Sequence, residues 1–148
     1  MWRVSTGSPT SWLEHTRGML RAAGLRDSPG RAAVVELLAR QACLVSPQEI
    51  SDQLRAEGGA GSTATVYRAL ETLHGLGLVH RVDAGEGVAR YEPADPSGDH
   101  HHHLVDEETG EVLPFEDEEL ERVVETLGAR LGVEVTGHDV ILRVRRSR

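Results

Sequence analysis

Apolar residues recur at the spacing of an α-helix in four stretches of the chain before Tyr91. The first is a weak pattern over residues 12–23, and each of the other three begins just after a serine or threonine. These residues cap helix N-termini because their side-chain oxygen accepts a hydrogen bond from a free backbone N–H. The predicted caps are Ser28, Ser46 with Glu49 three residues later, and either Ser62 or Thr63.

Two short extended runs follow the fourth helical stretch. They cover residues 78–82 and 88–91, and the segment 83–87 between them has the glycine and aspartate content of a hairpin turn. Helix, short helix, glycine-rich turn, helix and hairpin is the order of elements in a winged helix-turn-helix. The sequence therefore predicts a winged-helix domain over residues 1–91.

The pattern after Tyr91 predicts a small α/β domain over residues 92–148. Its predicted elements are strands at 100–106 and 111–115, a helix at about 117–131 and a last strand at 133–144. Three strands and one long helix make a small core, so we expect this domain to need a partner subunit for stability. The predicted fold class of the whole chain is α+β.

Composition excludes several classes of protein. Only 3% of the residues are aromatic, which predicts aliphatic cores and argues against a base-stacking platform of aromatic rings. No stretch comes near the roughly 18 consecutive apolar residues of a membrane span, and the first residues lack a signal-peptide pattern, so we expect a soluble cytoplasmic protein without a membrane partner. The single cysteine, Cys43, excludes an internal disulfide and is interpreted either as a small buried hydrophobe or as a reactive thiol.

Charge is distributed unevenly along the chain. Residues 1–91 carry 10 Arg and 9 acidic residues, net +1, whereas residues 92–148 carry 6 Arg and 15 acidic residues, net −9, and the sum is −8. An acidic segment does not lie along a phosphate backbone, because the like charges repel. Any contact with nucleic acid is therefore expected from the N-terminal domain.

Four consecutive histidines, His100 to His103, stand in a predicted strand. Because side chains alternate between the two faces of a strand, His100 and His102 share one face while His101 and His103 share the other. One segment can thus serve two metal sites. The alternative interpretation is that the histidines form an exposed polar turn.

Two further residues complete the first predicted metal site, Glu121 on the following helix and His138 on the last strand. Three imidazoles and one carboxylate suit Zn²⁺, Fe²⁺, Mn²⁺ or Ni²⁺. A small metallohydrolase is the less favoured function for these ligands, since the chain lacks an HExxH helix and has no substrate domain.

Several segments of the chain resemble one known family. Residues 62–70, STATVYRAL, resemble the recognition helix of the ferric uptake regulator (Fur) family of repressors, and residues 24–28 with Arg31 resemble the segment before their second helix. The histidine run and the segments 109–112 and 135–138 resemble their metal-binding dimerisation domain. The likeness covers about residues 18–145 in order.

The resemblance implies a homodimeric, metal-responsive transcriptional regulator, usually a repressor of metal homeostasis genes, that binds an inverted-repeat operator in double-stranded DNA. In the family, residues at the positions of Tyr67 and Arg68 contact bases and phosphates from the major groove, and the residue at the Arg26 position approaches the backbone or minor groove. The implied DNA-binding residues are Arg26, Ser62, Thr63, Thr65, Tyr67 and Arg68. The implied metal site is His100, His102, Glu121 and His138.

A second family site, at the hinge between the domains, is altered here. Leu44 stands where the family commonly has histidine and Pro114 where it has an acidic residue, and Asp106 and Thr109 replace the first pair of structural zinc cysteines. The residues left for a second site are His80, Glu92, His101 and His103, of which His80 is alternatively an exposed strand residue. Zn²⁺ is the favoured metal for these sites. The alternative function of the protein is that of a metal carrier or small metallohydrolase that does not bind DNA.

Overall fold

A computed structural model of the chain describes residues 9–41, 44–59, 62–83, 87–95 and 101–145. The chain divides into two compact units, whose described parts are residues 9–95 and 101–145. We call them the N-terminal unit and the C-terminal unit. Cys43 and His100 lie outside the described residues. No helix among the described residues has the length and apolar content needed to cross a bilayer.

The N-terminal unit has the order of elements that the sequence predicts. They are α1 (Pro9–Ala22), α2 (Pro29–Arg40), α3 (Pro47–Ala56), α4 (Thr63–Gly75), β1 (Val79–Asp83) and β2 (Ala89–Pro93). Strands β1 and β2 form an antiparallel hairpin, and Val45 pairs with Tyr91 on the other edge of β2. The predicted winged helix-turn-helix is confirmed.

The helix starts agree with the predicted caps. The Ser28 hydroxyl accepts a hydrogen bond from the backbone N–H of Arg31, and Ser46 and Glu49 form both bonds of a capping box. Ser62 caps α4, whereas Thr63 is the first residue of the helix and its hydroxyl lies 3.3 Å from the hydroxyl of Ser51. The choice left open between Ser62 and Thr63 is thus resolved in favour of Ser62.

An aliphatic core joins all the elements of the N-terminal unit. Helix α4 contributes Val66, Leu70 and Leu73, which are fully buried, and α1 contributes Trp12, whose indole N–H donates a 2.9 Å hydrogen bond to the carbonyl oxygen of Leu78. The opposite face of α4 stays in solvent. The core therefore fixes the helix from behind and leaves its polar face free to contact a ligand.

The C-terminal unit is a three-stranded sheet with one long helix. Its elements are β3 (His102–Asp106), β4 (Val112–Phe115), α5 (Glu118–Leu131) and β5 (Ile141–Val144). The strand order is β4-β3-β5, with β3 antiparallel to β4 and parallel to β5. The central strand is therefore the one that carries the histidines.

The last strand differs from its prediction. A strand over residues 133–144 was expected, but β5 covers only Ile141–Val144. Its length is set by β3, since pairing starts at His103 with Ile141 and stops at Asp106 with Val144, where β3 ends. The placement of His138 on the last strand is therefore wrong, because His138 lies in the connection before β5.

The N-terminal unit continues past Tyr91, where the sequence analysis divided the chain. Strand β2 ends at Pro93, because Glu92 pairs with His80 and Pro93 with Val79. Glu92 therefore belongs to the hairpin and not to the C-terminal unit.

Helix α5 presents much of its apolar stripe to solvent. Val123 is 58% exposed, Leu127 41% and Leu131 64%. The one residue of α5 that is buried is Gly128. The helix packs closely there, because a Cβ atom on Gly128 would lie 2.9 Å from the Cγ2 atom of Val135. A single copy of the C-terminal unit thus leaves a hydrophobic surface uncovered.

Candidate metal centre and nucleic-acid interface

His102 lies at the centre of the C-terminal unit. It is 1% exposed, and its ring centroid lies 5.5 Å from that of Phe115 and 5.0 Å from that of His138. Its Nδ1 atom accepts a 3.2 Å hydrogen bond from the backbone N–H of Val140. Because Nδ1 is engaged by the backbone, Nε2 is the nitrogen available to a neighbouring group.

Glu121 brings the two imidazoles together. Its carboxylate lies on the first turns of α5, with Oε1 2.6 Å from His102 Nε2 and Oε2 2.8 Å from His138 Nε2. We call His102, Glu121 and His138 the His102 cluster; one donor atom from each lies within 4.8 Å of the others. The structure thus brings together three of the four residues predicted for the first site, and the fourth, His100, lies outside the described residues.

The chemistry of the His102 cluster suits a divalent transition metal. Two imidazole nitrogens and a carboxylate oxygen converge on one point, and these are donor types that Zn²⁺ and its first-row neighbours prefer. Burial of His102 holds one ligand in a single orientation, whereas His138 has a side chain that is 21% exposed. The cluster combines a fixed ligand with a more accessible one.

The residues predicted for a second site form one pair within each unit. In the N-terminal unit, His80 stands directly opposite Glu92 across the β1–β2 hairpin, and Glu92 is 5% exposed. In the C-terminal unit, the rings of His101 and His103 meet edge to face with centroids 5.0 Å apart, while His102 contacts Phe115 and His138. The predicted alternation of these histidines between two faces is observed for the three that the structure describes.

The substitutions at the altered family positions remove donor atoms. Leu44 is buried and aliphatic, and Pro114 pairs with His103 on strand β4. Neither side chain carries a metal-binding atom. These two positions therefore contribute no ligand to a metal site.

Asp106 has a structural role that the sequence analysis missed. It is buried at the end of β3, where its Oδ1 atom accepts hydrogen bonds from the backbone N–H groups of Glu108 (2.8 Å) and Thr109 (3.2 Å). These bonds close the β3–β4 turn at the positions where many Fur-family proteins carry cysteines. An aspartate three residues before Thr-Gly is the sequence signal for such a turn.

The predicted DNA-binding residues lie on one helix and on the segment before α2. Tyr67 is 48% exposed on α4, Arg68 is exposed beside it, and Ser62 and Thr65 occupy the start of that helix. Arg26 is exposed between α1 and α2. Thr63 is the exception, since its half-buried hydroxyl faces Ser51 of α3.

Ion pairing separates the arginines of the N-terminal unit into two groups. Arg17, Arg40, Arg55 and Arg90 pair with carboxylates. Within the described part of that unit, the arginines outside any ion pair are Arg21, Arg26, Arg31, Arg68 and Arg81. Arg26 and Arg68, the two arginines that the family resemblance assigns to DNA, are thus both outside any ion pair.

Comparison with known proteins identifies the fold and the family. The ferric uptake regulator family model matches residues 22–143. The ferric uptake regulation protein of Pseudomonas putida is 35% identical over 130 residues, which cover 87% of this chain and 96% of that protein. The crystal structure of the Vibrio cholerae ferric uptake regulator matches with a TM-score of 0.79 at 30% identity, covering 88% of this chain and 98% of the other.

A second solved structure bears on the metal sites. The Helicobacter pylori ferric uptake regulator, which has three functional metal-binding sites, matches with a TM-score of 0.79 at 28% identity and covers 99% of this chain and 95% of the other. The matches therefore include the helix that carries Tyr67 and Arg68 as well as the unit that carries the His102 cluster. The chain belongs to the ferric uptake regulator family of metal-responsive transcriptional regulators.

Proposed function

We propose that this chain is a cytoplasmic, homodimeric repressor of metal homeostasis genes that binds an inverted-repeat operator in double-stranded DNA when a divalent metal is bound. The observation that carries the proposal is that the candidate DNA-binding residues and the candidate metal ligands lie in different units. Exposed Tyr67 and unpaired Arg68 lie on α4, and the convergent His102 cluster lies in the other unit. A metal in one unit thus regulates DNA binding by the other, without any catalytic step.

His102, Glu121 and His138, together with His100, hold one divalent ion per subunit. Zn²⁺ is the favoured ion because the set is rich in imidazole nitrogen, and Fe²⁺, Mn²⁺ and Ni²⁺ are its competitors. The three functional metal sites of the H. pylori relative support the use of more than one site in this fold. When bound, the ion supplies positive charge to Glu121 and links α5 to the strands of the sheet.

His80, Glu92, His101 and His103 form a second, regulatory site. One ion held by residues of both units fixes the angle between them, and that angle sets the separation of the two recognition helices in the dimer. A ligand shifts such an equilibrium only through its differential affinity for the two arrangements, and a site completed in only one of them supplies that difference. His80 stands opposite Glu92 across the hairpin, but its ring nitrogens are not part of any group of donor atoms that lie within 4.8 Å of one another among the described residues.

The second site predicts a specific phenotype for His80→Ala. We expect the variant to require more metal for DNA binding. Its dimer and its His102 cluster should stay intact, since His80 is exposed and belongs to the N-terminal unit, whereas the His102 cluster and α5 belong to the C-terminal unit. The measurement is a metal titration of DNA binding with wild-type and variant protein, with His15→Ala, an exposed histidine on α1, as the control. Wild-type metal dependence of His80→Ala would leave regulation to the first site alone.

The test of the function itself is fluorescence anisotropy of a labelled duplex from the region upstream of the chain's own coding sequence, with chelator and with each divalent ion. We expect binding only with metal. Arg68→Ala should weaken it by on the order of 1–3 kcal/mol, the value of a bidentate base contact. Arg17→Ala is the matched control, because it removes the same charge from an arginine already paired with Glu36. Absence of binding with every divalent ion would favour a metal carrier instead.

A further inference from the structure

The first turn of α2 carries a charge in an unexpected place. Arg31 is the third residue of this helix, where the free backbone N–H groups create a positive potential that disfavours cations. The equivalent position of α3 carries Glu49, which completes the capping box and has the favourable sign. A cation at the start of α2 needs a compensating interaction or a role outside helix stability.

The Arg31 side chain reaches back over the start of its own helix. Its Nη2 group donates a hydrogen bond to the backbone carbonyl oxygen of Arg26, and its backbone N–H donates a 3.3 Å hydrogen bond to the Ser28 hydroxyl. Arg31 is thus bonded to the connecting segment 26–28 at two points. The segment that carries Arg26 is thereby tied to the first turn of α2.

The first turn of α2 is itself fixed against the recognition helix. A Cβ atom built on Gly30 would lie 2.4 Å from the Cγ2 atom of Thr65, so α2 and α4 approach closely here and a side chain at position 30 would displace that methyl group. Thr65 is in the first turn of α4, and its backbone N–H donates a hydrogen bond to the hydroxyl of Ser62, the N-cap of that helix. A continuous path of contacts therefore runs from Arg26 through Arg31 and Gly30 to Thr65.

We infer that Arg31 is a positioning residue that holds the Arg26 segment in a fixed place relative to α4. Arg26 and the α4 residues Tyr67 and Arg68 can then contact one DNA half-site together. The segment that carries Arg26 is already ordered, so it loses little conformational entropy on binding. Ordering such a segment before binding lowers the entropic cost of association. The inference rests on the proposed DNA binding and adds a residue to which the resemblance gave no contact.

A double-mutant cycle tests the inference with the metal-loaded full chain and a duplex that the wild-type protein selects from a random-sequence pool. We expect Arg26→Ala to weaken binding about tenfold and Arg31→Met about fivefold, but Arg31→Met to cost less than about twofold when Arg26 is already Ala. Arg31→Met keeps the aliphatic stem and removes the donors. Arg40→Met is the matched control, because Arg40 is the last residue of the same helix and pairs with Glu57.

The salt dependence of binding separates positioning from a direct phosphate contact. If Arg31 only positions Arg26, Arg31→Met in the Arg26→Ala background leaves the slope of log K against log salt unchanged. A slope lower by about 0.9 together with additive losses would mean that Arg31 neutralises a phosphate itself and would overturn the inference. Equal losses in both backgrounds with a lowered melting temperature would show a role in folding only. A wild-type chain that selects no duplex would refute the proposed function itself.

Discussion

The two units of this chain are stabilised in different ways. The N-terminal unit has a continuous aliphatic core to which every helix and the hairpin contribute. Among the described residues of the C-terminal unit, the buried side chains are Val105, Phe115, His102, His103 and Asp106. On α5, in contrast, the apolar residues Val123, Leu127 and Leu131 are exposed. One unit therefore folds around hydrophobic contacts within the chain, whereas the other buries mainly polar groups and leaves apolar side chains of α5 exposed.

The difference means that the two units respond to different partners. Hydrophobic burial within the chain is independent of ligands, whereas a cluster of imidazoles and a carboxylate gains stability from any ion that binds the folded state. In the proposed homodimer, a second copy of the chain covers the exposed stripe Val123, Leu127 and Leu131. Metal at the His102 cluster and dimerisation are thus expected to act on the C-terminal unit and to reach the N-terminal unit only through it.

The largest expected effect is the loss of a core side chain in the N-terminal unit. Leu70→Ala should lower the free energy of unfolding of that unit by about 2–5 kcal/mol, because it leaves a cavity at a residue with no exposure. Calorimetry measures the change, and metal content measures the other unit. We expect one ion per subunit at the His102 cluster to remain. Loss of that ion with Leu70→Ala would mean that the two units are not stabilised separately.

The next effect is on the dimer. Leu127→Glu places a charge in the exposed apolar stripe of α5 and should weaken dimerisation at least a hundredfold, about 2.7 kcal/mol. Sedimentation velocity over a range of concentrations measures it. Ala129→Glu adds the same charge at an exposed position on the other side of the same helix and should leave the dimer intact. Equal behaviour of the two variants would move the dimer interface away from this stripe.

The smallest of the three effects is the loss of metal-dependent stability. At free Zn²⁺ ten times the dissociation constant, binding adds about 1.4 kcal/mol to the folded state. His138→Ala should abolish the gain from the His102 cluster, so that chelator lowers the melting temperature of the variant less than that of the wild-type protein. His15→Ala, an exposed histidine on α1, is the control. An unchanged metal content and an unchanged response to chelator in His138→Ala would remove His138 from the site.

Local signals in the sequence predicted the helices well. The capping box of Ser46 and Glu49 and the cap at Ser28 depend only on residues within one turn, and the structure has them as predicted. Strand β5 was predicted to start too early, at residue 133, because its first residue depends on where pairing with β3 begins, His103 with Ile141, and His103 is in a distant part of the chain. Pairing across that distance leaves no trace in the alternation of residues 133–144.

The features of the candidate metal site also fall into two groups, those that a local sequence pattern predicts and those that depend on distant residues. The alternation of His101, His102 and His103 follows from strand geometry and was predictable from the sequence. The approach of Glu121 to His102, 19 residues earlier, was predicted from the position of Glu121 on the following helix and from the family resemblance, because no local pattern specifies it. The hydrogen bond of Arg31 to Arg26 was not predicted, because a long side chain that folds back over a helix start has no pattern in the sequence.

The central claim is that metal bound to the C-terminal unit raises the affinity of the N-terminal unit for DNA. The two affinities are thermodynamically linked, so a metal that raises DNA affinity by some factor is itself bound more tightly by the same factor when DNA is present. The direct measurement is the Zn²⁺ affinity of the full chain with and without a saturating duplex that the chain selects. We predict affinities that differ by about tenfold or more. Identical Zn²⁺ affinities in the two titrations would contradict the account.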